Sequence, residues 1–286
     1  MADWIRTVFW AALCLLAGAG AFLFCVWPGK PDTRHAWVRR WYYAHRGLFT
    51  RDQKVPENSL PAFGAAAKAG YGIELDIALT ADRQLVVFHD NSLDRMCGSP
   101  KKIWEVPYVE ASGLRLAGTD EKIPRFSDVL AQVNGRVPII VEIKSSPFRR
   151  ELCEIAARML DGYTGPYCIE SFDPLVVAWF RRNRPSVLRG QLASRGSGRK
   201  LANRLEWFIL RYLLLNALAR PQFIAYRVDD AQNLAFRLCR RLGALTVAWT
   251  IRDDKGWEDG KRLFDTSIFE TWESMPHIPG GERHQP

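Results

Sequence analysis

Short β-rich runs alternate with helical stretches from residue 41 to residue 263, and this alternation limits the fold more tightly than any other feature of the chain. Enrichment in β-branched and aromatic residues predicts strands at 41–44, 72–79, 85–89, 139–144, 167–172, 188–192, 223–226 and 245–250. The stretches between them predict helices at 59–69, 126–133, 149–160, 174–183, 200–219, 231–242 and 256–263. Eight strands with intervening helices over ~240 residues are what a TIM (β/α)8 barrel requires. A doubly wound open sheet is the competing architecture, but no Gly-rich phosphate loop follows the first strand. The 286 residues are 48% hydrophobic and 25% charged, enough for one large α/β domain with a core and a solvated surface.

The N-terminus has a different character. Residues 7–27 carry no charge and are rich in Leu, Ala, Phe and Val. A helix needs about 20 apolar residues to cross a bilayer, and this run is long enough. Trp4, Trp10 and Trp27 lie near its ends, where amphipathic rings favour the interface. A cleavable signal peptide competes, since Ala17-Gly18-Ala19 resembles a cleavage site. The apolar run continues through Phe22-Leu23-Phe24, past the length of an ordinary signal core, which favours a retained anchor. The expected organisation is a transmembrane anchor at 1–30, a basic linker at 31–40, a barrel at 41–276 and a polar tail at 277–286. Lys30, Arg34, Arg39 and Arg40 follow the span, whereas Arg6 before it is opposed by Asp3. The more positive flank stays in the cytoplasm, so a single-pass membrane protein with a cytoplasmic barrel is expected. Cys14, Cys25, Cys97, Cys153, Cys168 and Cys239 have neither paired nor metal-ligand spacing, which fits a reducing compartment without structural disulfides.

A net charge of +9 favours anionic partners: phosphate substrates, acidic lipid headgroups or nucleic acid. No nucleic-acid motif or basic–aromatic stripe on a strand supports the last. Instead, polar residues gather at the ends of the early strands, as His45-Arg46-Gly47, Glu74-Leu75-Asp76, His89-Asp90 and Glu142-Ile143-Lys144. Residues two apart in a strand share a face, so Glu74 aims with Asp76 and Glu142 with Lys144. Several carboxylates in a dry barrel core would each cost several kcal/mol unless paired or metal-bound. The barrel mouth is therefore their expected place. Three carboxylates suit a hard divalent cation, Ca2+ or Mg2+. His45 and His89 could flank it as general acid and base, and Arg46 and Lys144 offer positive charge to a phosphoryl group. Together these residues describe phosphoryl transfer or phosphodiester cleavage.

The run from Ala44-His45-Arg46-Gly47, through Pro56-Glu57-Asn58-Ser59, Glu74-Leu75-Asp76 and Val87-Phe88-His89-Asp90, to Val141-Glu142-Ile143-Lys144 resembles the glycerophosphodiester phosphodiesterase family in order and spacing. Leu93-Asp94-Arg95, Glu170-Ser171-Phe172-Asp173 and Ala248-Trp249-Thr250-Ile251 extend the resemblance, which covers about residues 42–270. Five motifs in register are specific where one tripeptide is not. The resemblance implies Glu74, Asp76 and Glu142 as metal ligands, His45 and His89 as the acid–base pair, and Arg46 and Lys144 on the phosphate. Glu57 and Asn58 would shape the site beside the first histidine. In related enzymes a hydroxyl next to the phosphoester attacks phosphorus, and water opens the resulting cyclic phosphate. Phe269-Glu270-Thr271 departs from the Thr-Asp-Pro turn of many relatives, so the last barrel closure is open.

Some residues carry two readings. Phe172 and Trp249 either line a substrate groove or pack the core. Asp90 supports a loop, and Cys97 is an ordinary thiol. Residues 199–220 are rich in apolar side chains between basic ones, either a barrel helix with a generous buried face or an interfacial helix at the membrane. The expected reaction is hydrolysis of a glycerophosphodiester to glycerol phosphate and an alcohol. Lysophospholipase D action on a lysophospholipid is the alternative within the same chemistry. An inactive lipid-binding scaffold is the alternative of another class, and a complete His and carboxylate set argues against it.

Overall fold

A computed structural model of the chain describes residues 2–144, 147–195 and 204–276. The expected polar tail and residues 199–203 of the apolar stretch lie outside the described residues. The chain folds as a closed barrel of eight parallel strands: β1 (Tyr43–His45), β2 (Gly72–Leu79), β4 (Ile139–Ile143), β5 (Tyr167–Ser171), β6 (Arg189–Ala193), β7 (Phe223–Arg227), β8 (Leu245–Ile251) and β9 (Thr266–Phe269). Closure is direct, because β1 pairs in parallel with both β2 and β9.

The expected strand at 85–89 is not a stave. It forms β3 (Leu85–Val87), antiparallel to the upper half of β2 through Ile77 opposite Val87 and Leu79 opposite Leu85. Only residues 80–84 separate the two, whereas a parallel neighbour needs a crossover of about a dozen residues or more. The chain instead turns tightly at Arg83 (φ 63°), whose N–H donates to the Thr80 carbonyl at 3.0 Å. The eighth stave is β9, four residues beyond the helix expected at 256–263 that none of the expected strands covers.

The period of two sorts side chains as expected. On β2 and β4, Ile73, Leu75, Ile77, Val141 and Ile143 face the surrounding helices, in one apolar layer with Phe63, Phe126 and Leu152. The inward positions fill the barrel floor with Tyr43, Ile140, Cys168, Leu188, Phe223 and Leu245. Gly190 makes room there, since a Cβ at that position would stand 2.1 Å from the Phe223 ring. The segment expected as a basic linker is folded: Thr33–Arg40 is a 3-10 helix capped by Asp32, and its buried Val38 closes the floor.

The barrel helices are α2 (Leu60–Ala69), α3 (Phe126–Val133), α4 (Arg149–Asp161), α5 (Pro174–Asn183), α6 (Arg204–Arg211), α7 (Asn216–Ala219), α8 (Leu234–Arg241) and α9 (Asp254–Leu263). The single helix expected at 200–219 is broken into α6 and α7 at Leu213, which is left-handed (φ 55°) and buried. Burying that side chain outweighs helical continuity. Residues between β3 and α3 form a small lobe with its own core of Phe88, Leu93, Met96, Ile103 and Leu116 beside β2.

Ahead of the barrel, α1 (Ala2–Val26) is the one helix among the described residues long and apolar enough to cross a membrane, and a signal sequence would pass the same test. Its C-terminal end is fixed to the barrel. Val26 is fully buried, and its carbonyl accepts from Asn216 Nδ2 at 3.0 Å and Cys239 Sγ at 3.2 Å. Arg220 Nη1 donates to the Trp27 carbonyl at 2.7 Å.

Candidate active site

The mouth begins with the turn after β1. Arg46 (φ 56°) and Gly47 (φ 80°) are both left-handed, and a Cβ on Gly47 would lie 2.8 Å from the Ala62 backbone, so the second position requires glycine. This turn lets the Arg46 N–H donate to Glu74 Oε2 at 3.1 Å. Its guanidinium reaches Glu57 Oε1 at 2.6 Å and Asp76 Oδ2 at 3.4 Å. Asn58, also left-handed, donates its backbone N–H to the Arg46 carbonyl and its side-chain amide to Asp76 Oδ2 at 2.8 Å. Ser59 then caps α2. Glu57 and Asn58 thus stand behind the pocket and hold Arg46 and Asp76.

Glu74, Asp76 and Glu142 are buried, each with one oxygen within 4.8 Å of the others'. Strand register creates the cluster: Asp76 lies opposite Glu142, and Glu142 opposite Glu170. Lys144 Nζ bridges Asp76 Oδ1 at 2.8 Å and Glu142 Oε1 at 2.7 Å. Burial pushes the Glu74 carboxyl well above the usual range, and repulsion from Asp76, Glu142 and Glu170 adds to it. Burial acts the same way on Asp76, but the Lys144, His89 and Arg46 charges outweigh it and hold that group well below. Glu142 is raised by burial, against the opposing charge of Lys144.

Glu170, overlooked as a site residue in the sequence, is also raised well above by burial and by Glu142 and Asp76. It is 1% exposed, and its Oε2 has no hydrogen-bond partner. Four buried carboxylates therefore share this wall with Arg46 and Lys144. Ionised together they leave an excess of two negative charges, which is costly at low dielectric and which one divalent cation would offset. The residues present thus fit a hard cation.

Each histidine is gripped by a carboxylate. His45 Nδ1 lies 2.6 Å from Glu270 Oε1, and Arg252 binds both Glu270 oxygens at 2.5 and 2.6 Å. Burial and the nearby Arg46 charge lower His45 to about 4, with Glu270 opposing them. Burial raises Glu270, but hydrogen bonds from His45 and Arg252 outweigh it and hold the carboxyl far below its ordinary range. The two shifts are compatible if the imidazole is neutral, donates Nδ1–H to an ionised Glu270, and leaves Nε2 as a base. Nε2 lies 3.9 Å from Glu74 Oε2, on the cluster side.

His89 Nδ1 lies 2.5 Å from Asp90 Oδ1, and Arg95 binds Asp90 at 2.6 Å and Glu57 at 2.6 Å. Glu270 is the chief residue that sequence reading missed. The signal was present: the atypical turn still carries an acid between Phe269 and Thr271.

One pocket collects His45, Arg46, Glu74, His89, Glu142 and Glu170 on one side and Phe172, Leu192, Trp249 and Ile268 on the other. Phe172 and Trp249 meet edge to face at 5.4 Å; both line the pocket and pack on the barrel interior. Trp249 Nε1 is a buried donor without a partner. Asp76 is fully buried beneath this lining, whereas the Lys144 side chain is as exposed as that of Arg46.

The barrel mouth thus brings a buried acidic cluster together with two carboxylate-bound histidines. Residues 45–268 match the glycerophosphoryl diester phosphodiesterase family, and the chain belongs to it. It is thus a phosphodiester hydrolase. YhdW of Bacillus subtilis, assigned by name to the glycerophosphodiester phosphodiesterases, is 28% identical over 74% of this chain and 86% of its own. Glycerophosphodiester phosphodiesterase 1 of Homo sapiens is 33% identical, but over only 35% of this chain and 33% of its own. A solved phosphodiesterase of Oleispira antarctica, in complex with the product sn-glycerol-3-phosphate, shares the fold at a TM-score of 0.65 and 20% identity. That match covers 80% of this chain and 92% of the other.

Proposed function

We propose that the protein is a membrane-anchored, divalent-metal-dependent enzyme that hydrolyses glycerophosphodiesters to glycerol phosphate and an alcohol by histidine acid–base catalysis. The observation that carries this reading is the pair of histidines, each held through Nδ1 by a carboxylate, on either side of a buried carboxylate cluster. Glu74, Asp76 and Glu142 would hold Ca2+ or Mg2+, which when bound supplies Lewis-acid charge neutralisation at the phosphoryl oxygens. Arg46 and Lys144 orient the phosphoryl group. His45 takes the proton of the attacking hydroxyl, from water or from the substrate, at Nε2. Glu270 keeps that imidazole in the required tautomer. His89, steadied by Asp90, gives a proton to the leaving oxygen.

The anchor reading is supported by the unbroken helix across the Ala17-Gly18-Ala19 site and by the docking of Val26 into the barrel. The basic residues after the span favour a barrel on the cytoplasmic side. Lysophospholipase D action remains a second reading, favoured by the apolar side of the pocket at Phe172, Leu192 and Trp249.

The test is metal removal. Exhaustive chelation should abolish hydrolysis of glycerophosphocholine, glycerophosphoethanolamine and glycerophosphoglycerol, and added Ca2+ or Mg2+ should restore it. Full turnover by protein shown metal-free by elemental analysis would overturn the assignment.

A further inference from the structure

A second, narrow cleft opens from the apolar side of the catalytic pocket. The two share Phe172 and Leu192, so they adjoin across these side chains. Beyond these residues the cleft is lined by Trp207, Leu210 and Leu213 of the α6 segment, with Gln191, Ser194, Arg211 and Asn216 as its polar members. Asn216 is the residue whose amide binds the carbonyl of Val26, the last residue of α1. The cleft therefore joins the reaction centre at one end and the base of the apolar N-terminal helix at the other. The outer face of α6 is apolar as well, with Leu205 65% and Phe208 45% exposed. Arg211 also lines the cleft, with its guanidinium 4.5 Å from the Trp207 ring and its Nε buried without a hydrogen-bond partner.

We propose that this cleft is an acyl-chain subsite, through which a single-chain phosphodiester lipid reaches the catalytic pocket from the bilayer side. The inference rests on the reading of the mouth as a phosphodiesterase site and of α1 as a membrane span. Most of the lining is apolar, with Arg211 its one charged side chain among the described residues, so an alkyl chain would lose water along most of its length there. Narrowness selects one chain over two. Because Asn216 lines the cleft and binds the last residue of α1, the cleft is held at the end of the barrel where the span would enter the bilayer.

The test uses the full chain in detergent with glycerophosphocholine and a series of lysophosphatidylcholines, the short ones kept below their micelle concentrations. For the wild type, KM should fall with each added methylene by up to about fourfold, the factor expected for burying one CH2. Leu210→Asp should lower kcat/KM on palmitoyl-lysophosphatidylcholine by about tenfold or more, with glycerophosphocholine turnover within about twofold of wild type. Leu210→Trp, which fills the cleft without adding charge, should shift the preferred chain to a shorter length and serves if the Asp variant fails to fold. A KM independent of chain length, or equal losses on both substrates in a folded variant, would overturn the subsite. Turnover of glycerophosphocholine but of no lysophospholipid sinks the subsite and leaves the phosphodiesterase reading standing. Failure on every diester with metal present would sink that reading as well.

Discussion

The two sides of the barrel mouth are built from the same strands-and-helices pattern yet differ in almost every physical respect. On the side of β1, β2, β4 and β5, buried carboxylates, two histidines, Arg46 and Lys144 form a network of ion pairs and hydrogen bonds. On the side of β6 to β8, the pocket meets Leu192 and Trp249, and the apolar cleft leads away beneath α6. The first side is rigid because moving any member exposes an uncompensated buried charge. The second is held mainly by packing, with a few buried amide hydrogen bonds from Gln191 and Asn216, and packing tolerates changes of shape far better than the first side tolerates changes of charge. Chemistry belongs to the charged side, and the choice of what hangs from the phosphate to the apolar one.

The sharpest way to break this division is to remove the acid and base. His45→Ala and His89→Ala should each lower kcat on glycerophosphocholine by about 10²-fold or more, with KM little changed and the fold intact by circular dichroism. Wild-type turnover in either variant would remove that histidine from the chemistry, and the charged side would lose its assigned role.

A smaller effect is expected one step back. Glu270 touches no reacting atom and acts through His45. Glu270→Gln can present an amide N–H to Nδ1 and so favour the wrong tautomer, lowering kcat by about 10–100-fold, while Glu270→Asp should recover part of it. A purely structural role would lower kcat in proportion to folded fraction, leave the pH profile unmoved and give no rescue by Asp. Steady-state kinetics across pH therefore separate the two.

Much of this arrangement was legible before any coordinates. Alternation of two along Gly72–Leu79 is enough to aim Glu74 and Asp76 together, because inward positions near an open barrel end can carry charge while outward ones must be apolar. What escaped sequence reading depends on closure. His45 and Glu270 are 225 residues apart and meet only because β9 returns beside β1, and β9 itself is four residues long. The misassigned stave at 85–89 looked apolar enough for a barrel, but its separation from β2 already excluded a parallel crossover. The break at Leu213 has no Gly or Pro to announce it; it follows from the burial of one side chain and the bond from Asn216 to Val26.

The finest distinction between the two sides lies in how stability answers to pH. Glu170 is buried, has one oxygen without a partner, and has its carboxyl raised well above 4.5 by burial and by Glu142 and Asp76. A carboxyl raised in the folded state binds more protons than in the unfolded chain at pH above 4.5, so it opposes folding at neutral pH. That opposition fades as pH falls towards 4.5. Glu170→Gln removes the titration and should stabilise chelated protein at pH 7 by about 1 kcal/mol or more. The gain should shrink on acidification towards pH 4.5 and on addition of Ca2+ or Mg2+. Leu192→Ala, on the apolar side, should destabilise by about 2–5 kcal/mol with no dependence on pH or metal. Thermal unfolding of the two variants between pH 4.5 and 7, with and without chelator, checks both expectations. A pH-independent effect of Glu170→Gln would mean that its carboxyl is relieved by a partner in solution, and the charge imbalance inferred for the acidic wall would fail with it.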